Sequence, residues 1–425
     1  MLTINKLRED GALVKERLRK RMWTDEKLQI IDTAIEKDDE RKKIQAQLDE
    51  LLSKGKLISK EIGDLFKSGD HAKANQMKSQ MGELKAQTKV LEDAFRNSKV
   101  ELEEIMLNIP NVPHESVPTG KSESDNEVYK DWDKELPSSD SKIPHWDLAK
   151  NYNLIDFELG ASITGSGFPL FRGKGAKLKR ALINFFLDEA EKSGYEEIRP
   201  PFLVNEESAR ATGQLPDKEG QMYHIQLDNL YLIPTGEIPL TNIYRNTILS
   251  EKDFPVKIVG QTPCFRREAG SYGSDVKGLN RVHQFDKVEI VRIEHPDKSY
   301  DTLFKMMDHV EKLLIKLELP YRILRLCGGD LGFTSALTFD FEVYAAGQKK
   351  WLEVSSVSNF EAFQANRMKL RFKDQDGQIH LAHTLNGSAL ALARIIAALL
   401  ENNQTAEGIK VPEAIQKYLN FSTIN

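Results

Sequence analysis

The first long feature is a seam of apolar positions. Ile44, Leu48 and Leu51 recur at alternating spacings of four and three. Gly55 takes the next seam position, and Ile58, Ile62 and Leu65 continue it. Farther on, Met77, Met81, Leu84, Thr88, Leu91, Phe95, Ser98, Leu102 and Ile105 follow the same rule. A 3.5-residue period places such side chains on one stripe of a helix. The chain has 16 prolines, none before Pro110, so nothing interrupts helical geometry here. Between the two stripes lies the turn-forming cluster Lys67-Ser68-Gly69-Asp70. Two helices joined by so short a turn must run antiparallel. The pattern predicts a coiled-coil hairpin over residues ~27–107, each arm on the order of 50 Å at about 1.5 Å per residue.

The pattern then changes. Residues 111–145 are rich in Pro, Ser and Asp, a linker composition. Residues 174–193 read as an amphipathic helix with Gly194 as its C-cap. YEEIRPPFLV reads as an extended strand bent at Pro200 and Pro201. Alternating runs follow at YHIQLDNLYLIP, VKIVGQTPCFRR, DKVEIVRIE, LTFDFEVYAAG and KKWLEVSSVS. Such alternation marks half-buried antiparallel strands. Helical patterns interrupt them at 300–318 and 388–402. The predicted class is α+β, built on one antiparallel sheet flanked by helices. The expected division is 1–110, a linker at 111–145, and 146–425.

Composition narrows the function. Of 425 residues, 40% are hydrophobic and 29% charged, the profile of a soluble globular protein. The net charge of −5 excludes a generic polyanion binder, so any nucleic-acid contact must be local. Two such patches stand out. Lys54, Lys56, Lys60, Lys67, Lys73 and Lys78 outnumber the acids around the hairpin tip. Lys15, Arg17, Arg19, Lys20 and Arg21 cluster upstream. Charge runs of this kind are ordinarily solvated helical surface, and the functional alternative is contact with a phosphate backbone. The two cysteines, Cys264 and Cys327, lie far apart and suit free thiols in a reducing cytoplasm. The N-terminus lacks the apolar core of a signal peptide. ALALARIIAALL, residues 389–400, is too short to span a bilayer, so no membrane role is expected.

Candidate chemistry gathers in four places. In FRREAGSYGSDVKGLNRVHQFDKVEI, residues 265–290, Arg266, Arg267 and Glu268 end one strand candidate. Arg281 and Phe285 open the next, across a glycine- and serine-rich loop. Guanidinium groups on paired strands suit different phosphates of one polyphosphate. Phe285 offers a flat face for a purine, and Glu268 an acceptor for an exocyclic amine; cross-strand ion pairing is the plainer alternative. Glu353-Val354-Ser355-Ser356 pairs a carboxylate with hydroxyls, hard ligands suited to Mg²⁺ on phosphates. Alternation puts Glu353 and Ser355 on one face, with Ser356 turning inward where the strand ends. Thr384-Leu385-Asn386-Gly387-Ser388 leads into an apolar helix whose Arg394 needs a partner such as phosphate. Thr235-Gly236-Glu237 follows YLIP and is weak evidence alone. No Walker loop and no GxGxxG is present, so a nucleotide would bind on arginines and a sheet.

Together these segments resemble the bacterial-type seryl-tRNA synthetases, class II aminoacyl-tRNA synthetases. The resemblance runs nearly the full length. It rests on Gly194-Tyr195 through Pro201-Phe202-Leu203 as motif 1, the 265–290 segment as motif 2, and TLNGSALALAR as motif 3. YLIPTGEIPLTN, CGGDLGF, EVSSVSNFEAFQANRMK and the N-terminal hairpin mark the subtype. The resemblance implies that ATP and L-serine form seryl-adenylate and pyrophosphate, after which serine passes to the 3′ end of tRNA(Ser), with tRNA(Sec) a further candidate. It implies Arg266 on the α-phosphate, Arg281 and Arg394 toward the γ-phosphate, Phe285 and Glu268 at the adenine, and Arg267, Val354 and Ser355 in the same ATP site. Glu353 and Ser356 are implied Mg²⁺ ligands. Thr235, Gly236, Glu237, Glu289, Asn386 and Ser388 are the implied serine pocket, with Glu289 on the ammonium. It further implies a homodimer and an arm that reaches the tRNA's long variable arm. Gly236 stands where alanine is common, and Ala389, Ala391 and Ala393 replace glycines often seen in motif 3. Three alternatives are a paralogue charging a non-tRNA acceptor, an inert coiled-coil protein, and a threonine or proline enzyme. The arm disfavours the first and third. The retained arginines disfavour the second. The chain is also expected to end too soon after Arg394 for an anticodon domain.

Overall fold

The computed structural model of the chain describes residues 1–140, 142–217, 220–268 and 277–425. It divides into two compact units, Met1–Arg19 with Trp23–Pro110, and Lys20–Met22 with Asn111–Asn425.

In the first unit, helices α1 (Asp25–Ser68) and α2 (His71–Leu107) form the expected hairpin. Every seam position is at least half-buried, while most of the residues between are exposed. Gly55 lets the helices approach: a Cβ there would touch Leu84 at 3.4 Å. Helix α1 stops because Gly69 adopts φ +84°, which lets its N–H return to the last turn. Asp70 then caps α2, its carboxylate accepting from the Lys73 N–H at 3.2 Å. Ala74, outside the predicted seam, is fully buried at the tip. Burial pushes the Asp38 carboxyl up, but hydrogen bonds from Arg41, Lys42 and Arg8 outweigh it and hold it at about 2.

Much of the upstream basic cluster is structural. Lys15 pairs with Asp32, and Arg19 with Asp25. Arg21, half-buried in the second unit, donates to the carbonyls of Asn111, Leu331, Gly332 and Ser335. That burial lowers its pKa to about 9. Lys20 donates to the carbonyls of Glu115 and Val117. These cations solvate backbone that would otherwise be orphaned.

The second unit is built on an eight-stranded sheet. Its strands are β1 (Glu127–Lys130), β2 (Glu196–Glu197), β3 (Val256–Phe265), β4 (Gln284–Glu294), β5 (Tyr321–Arg325), β6 (Leu337–Ala345), β7 (Lys350–Asn359) and β8 (His383–Ala391). Their order is β1-β5-β6-β7-β8-β4-β3-β2, antiparallel except for the β2–β3 edge. The proline pair shortens the expected motif 1 strand to β2 and a separate Leu203–Asn205, which joins a smaller sheet with the YHIQLDNLYLIP strands. Residues 111–145 carry more structure than a linker composition suggests. Asn111 donates to the carbonyls of Thr334 and Phe360, and β1 adds an edge strand to the sheet.

Helices α3 (His145–Asn151), α4 (Gly173–Lys192), α5 (Ser299–Lys316) and α6 (Leu392–Asn402) pack around the sheet. The core joins Leu182, Phe185 and Phe186 of α4, Met306 and Val310 of α5, and Ile396 and Leu399 of α6 to Phe339 and Phe341 of β6. Each such side chain contributes about 1.5–3 kcal/mol by leaving water. The 388–402 helix begins later than its apolar run suggests: residues 388–391 are the end of β8. Ser388 and Ala391 pair with Glu289 and Lys287 of β4 across a register shift, so the polar TLNGS stretch lines a strand instead of capping a helix. Among the described residues, no helix is long and apolar enough to cross a membrane.

Candidate active site

Strands β3 and β4 pair with Phe265 opposite Gln284 and Cys264 opposite Phe285. Strict alternation along β4 sends Val288 and Ile290 into the core and Phe285, Lys287 and Glu289 to the other face. Arg266 leaves β3 with its N–H on the His283 carbonyl at 2.9 Å. Its Nε donates to Pro234 O at 3.2 Å, and its guanidinium lies 5.4 Å from the Phe285 ring centroid. Arg281 Nε donates to Glu268 Oε2 at 2.5 Å. Arg394, in the first turn of α6, donates from Nε to Asn280 O at 3.0 Å and from a terminal nitrogen to Glu353 O at 2.8 Å. All three arginines line one cavity of about 250 Å³, with Glu268, Phe285 and Glu353. Val354, Ser355, Ser356 and Ser388 also reach it. Arg267 does not line it. Its Nε donates to Met222 O, and it covers the Tyr223 ring at 4.8 Å. Most of the glycine-rich loop, at 269–276, lies outside the described residues.

Glu353 and Ser356 reach the cavity for a reason alternation alone did not supply. Strand β7 does not end at Ser356 but runs on to Asn359. Glu353 faces Glu342 and Ser355 faces Phe341, so the register slips by one residue. This bulge re-aims the side chains and puts residues three apart at one opening. Ser355 is tied down, its hydroxyl donating to Ser388 O at 2.6 Å. Behind Ser356 lies Asp340, its cross-strand partner. Burial and the neighbouring Glu353 push the Asp340 carboxyl well above the usual range, against a hydrogen bond from Ser356. Its Oδ1 is buried with no hydrogen-bond partner among the described residues. A carboxylate, a hydroxyl and an under-satisfied second carboxylate form a hard-oxygen set that fits a divalent cation.

A second cluster sits deeper on the same face. Lys287 Nζ is 2.5 Å from Glu289 Oε2 and donates to Thr235 Oγ1 at 3.0 Å. Thr235 donates to Glu289 Oε2 at 3.1 Å. Glu237 opens the short helix Glu237–Asn242 and accepts from Gln364 Nε2 at 2.5 Å. Burial first, and then the Glu289 charge, raise the Glu237 carboxyl to about 7. Asn386 and Ser388 alternate along β8, with Ser388 opposite Glu289. The buried Asn386 amide faces Glu237, where it favours the ionised carboxyl against the burial that raises it. Gly236 leaves room beside this group: a methyl there would come within 3.1 Å of Thr262 Oγ1 and 3.2 Å of Glu289 Cβ. Ser388 and Lys287 also line the arginine cavity, so the two sites adjoin.

Sequence reading missed Lys287 and Gln364. Lys287 was within reach, because its two-residue spacing from Glu289 on a strand puts both on one face. Gln364 carried no local signal, since only tertiary packing brings the Phe363–Met368 helix to Glu237.

Comparison with known proteins agrees with this layout. The family model "Seryl-tRNA synthetase N-terminal domain" matches residues 1–113, and "tRNA synthetase class II core domain (G, H, P, S and T)" matches 223–403. A serine–tRNA ligase of Salinibacter ruber is 48% identical, over 100% of this chain and 99% of the relative. A crystal structure of seryl-tRNA synthetase from Pyrococcus horikoshii complexed with ATP superposes with TM-score 0.85 at 34% identity, over 100% of this chain and 99% of that one. The cytoplasmic serine–tRNA ligase of Naegleria fowleri, in complex with AMP, gives TM-score 0.87 at 26% identity, with the same two coverages. Full-length identity of this order, together with both matched domains, shows that the chain belongs to the seryl-tRNA synthetases, class II aminoacyl-tRNA synthetases that ligate serine to tRNA.

Proposed function

We propose that the arginine cavity binds ATP and the Glu237–Glu289 pocket binds L-serine, so that the two meet at Ser388. The observation that carries this reading is the shared cavity of Arg266, Arg281 and Arg394 beside Phe285, opening onto a carboxylate-rich pocket. Arg266 meets the α-phosphate, Arg281 and Arg394 the outer phosphates, and Phe285 stacks on the adenine. Glu268, now paired with Arg281, exchanges that partner for the adenine amine. Glu353 and Ser356 would hold Mg²⁺, with Asp340 behind them. When bound, that ion neutralises charge on the phosphate oxygens.

Glu289 faces the substrate ammonium, where Lys287 now sits. Binding of serine then requires Lys287 to share or leave that carboxylate. Glu237 and Asn386 serve the serine hydroxyl. Alanine would leave their buried polar atoms unpaired, which is a strong basis for rejection. The serine carboxylate is a competent nucleophile, so activation needs no general base. It attacks the α-phosphorus in line while Arg266 stabilises the developing charge, and pyrophosphate departs. The tRNA 3′-hydroxyl then attacks the seryl carbonyl carbon, forming the ester as the anhydride bond breaks, and AMP leaves with release of the hydroxyl proton. Positioning and electrostatics supply the rate.

By the same reading, residues 1–110 form a tRNA-binding unit whose arm meets the long variable arm. Residues 111–145 connect it to the catalytic unit 146–425, and the enzyme works as a cytoplasmic homodimer. The test is ATP–pyrophosphate exchange with each amino acid in turn. Exchange that depends on serine supports the reading. Exchange with another amino acid, or none in folded protein, overturns it.

A further inference from the structure

His145 and Glu401 lie outside the cavity and are fully buried. The Glu401 carboxylate is a hub. Oε1 accepts from the His145 N–H at 3.0 Å, from the His145 ring Nδ1 at 2.8 Å and from Gln348 Nε2 at 2.8 Å. Oε2 accepts from the Gln348 N–H at 3.0 Å. This arrangement sets the imidazole tautomer. With the proton on Nδ1 facing Glu401, Nε2 keeps a lone pair, and the Leu279 N–H donates to it at 2.8 Å. Gly278 lets the backbone lie this close to the ring: it has φ +68°, and a Cβ there would sit 2.3 Å from Nε2. Gln348 also accepts from the Asn280 side chain at 2.6 Å.

Glu401 and Arg394 are seven residues apart on α6, and so share a face. One helix therefore holds the segment before Arg281 at two points. Arg394 takes the Asn280 carbonyl, and Glu401, through His145, takes the Leu279 N–H. We propose that His145, oriented by Glu401, is a positioning residue for ATP. It fixes residues 278–280 so that Arg281 and Arg394 present to the same triphosphate. This rests on the ATP reading above. Among the described residues, the network's hydrogen bonds run to residues 279–280 and none runs to Thr235, Glu237, Glu289 or Asn386, so its effect falls on ATP and not on serine.

The test is steady-state ATP–pyrophosphate exchange in the full-length protein and in His145→Asn, His145→Gln and Gln348→Leu. Asn keeps a donor toward Glu401 but is too short to receive the Leu279 N–H. Gln reaches the Nε2 position with an acceptor oxygen. His145→Asn is expected to raise the KM for ATP about tenfold, a factor typical of one lost buried hydrogen bond, with the KM for serine unchanged. His145→Gln is expected to recover most of that rise. Gln348 is only half-buried, so its variant tests the network even if His145→Asn fails to fold, and about a threefold rise is expected. Unchanged ATP kinetics in the variants, or equal shifts in the ATP and serine KM, would overturn the proposal. Activity lost only in proportion to folded protein would do the same. Absence of serine-dependent exchange in the unaltered protein would instead remove the ATP reading, and the proposal with it.

Discussion

Glu237 offers a test whose size follows from the structure. Its carboxyl is buried beside Glu289, and its pKa rises from 4.5 to about 7. A shift of that size corresponds to about 3 kcal/mol between the neutral and charged forms. The folded protein favours the neutral form, so the stability it contributes is complete below pH 4.5. It is lost as pH rises through 7, where the folded protein must ionise a buried acid. Glu237→Gln is nearly isosteric and permanently neutral, and its carbonyl can still accept from Gln364. Thermal unfolding of both proteins at pH 5 and pH 8.5, without ligands, measures the difference. At pH 5 the two should melt within about a degree of each other. At pH 8.5 the variant should melt about 5 °C higher, as 3 kcal/mol predicts for a unit of this size. A melting difference independent of pH would rule out a neutral, buried Glu237 carboxyl. It would mean that Lys287 holds Glu237 ionised throughout.

Further outcomes follow from other sites. His309 behaves oppositely: burial first, then Arg292, lower its pKa to about 4, so its contribution is intact above pH 6.5 and lost as pH falls toward 4. His309→Gln should flatten that acid-side loss in a melting-against-pH series. Arg394→Ala should lower kcat/KM for ATP in exchange assays by about 10²–10³-fold, the usual scale for a charge-stabilising group at phosphate. On the arm, Lys60→Glu with Lys73→Glu should lower kcat/KM for tRNA charging about tenfold at low salt and leave exchange unchanged. Equal loss in both assays would argue against a role specific to tRNA.

The hairpin was legible because its information is local. A 3.5-residue period, a glycine at the turn and an aspartate after it determine two helices and their reversal. The α+β class was legible from alternation, and the Lys287–Glu289 face could have been. What the sequence hid depends on distant contacts. The β7 bulge that brings Glu353 and Ser356 together arises from pairing with β6, which no local pattern encodes. The same holds for Arg21, read as part of a surface cluster but consumed by four backbone carbonyls. Arg267 looks equivalent to Arg266 in sequence, yet its backbone N–H pairs with Gln221 O, and its side chain leaves the cavity. The His145–Glu401 link joins residues far apart in the second unit and carries no motif at all.

The most direct test is a crystal structure of the protein with Mg²⁺ and a non-hydrolysable ATP analogue. The triphosphate is expected among Arg266, Arg281 and Arg394, the adenine on Phe285, Arg281 released from Glu268, and the metal on Glu353 and Ser356. A nucleotide bound elsewhere, or one that leaves the Arg281–Glu268 pair intact and touches only one of the three arginines, would contradict this arrangement.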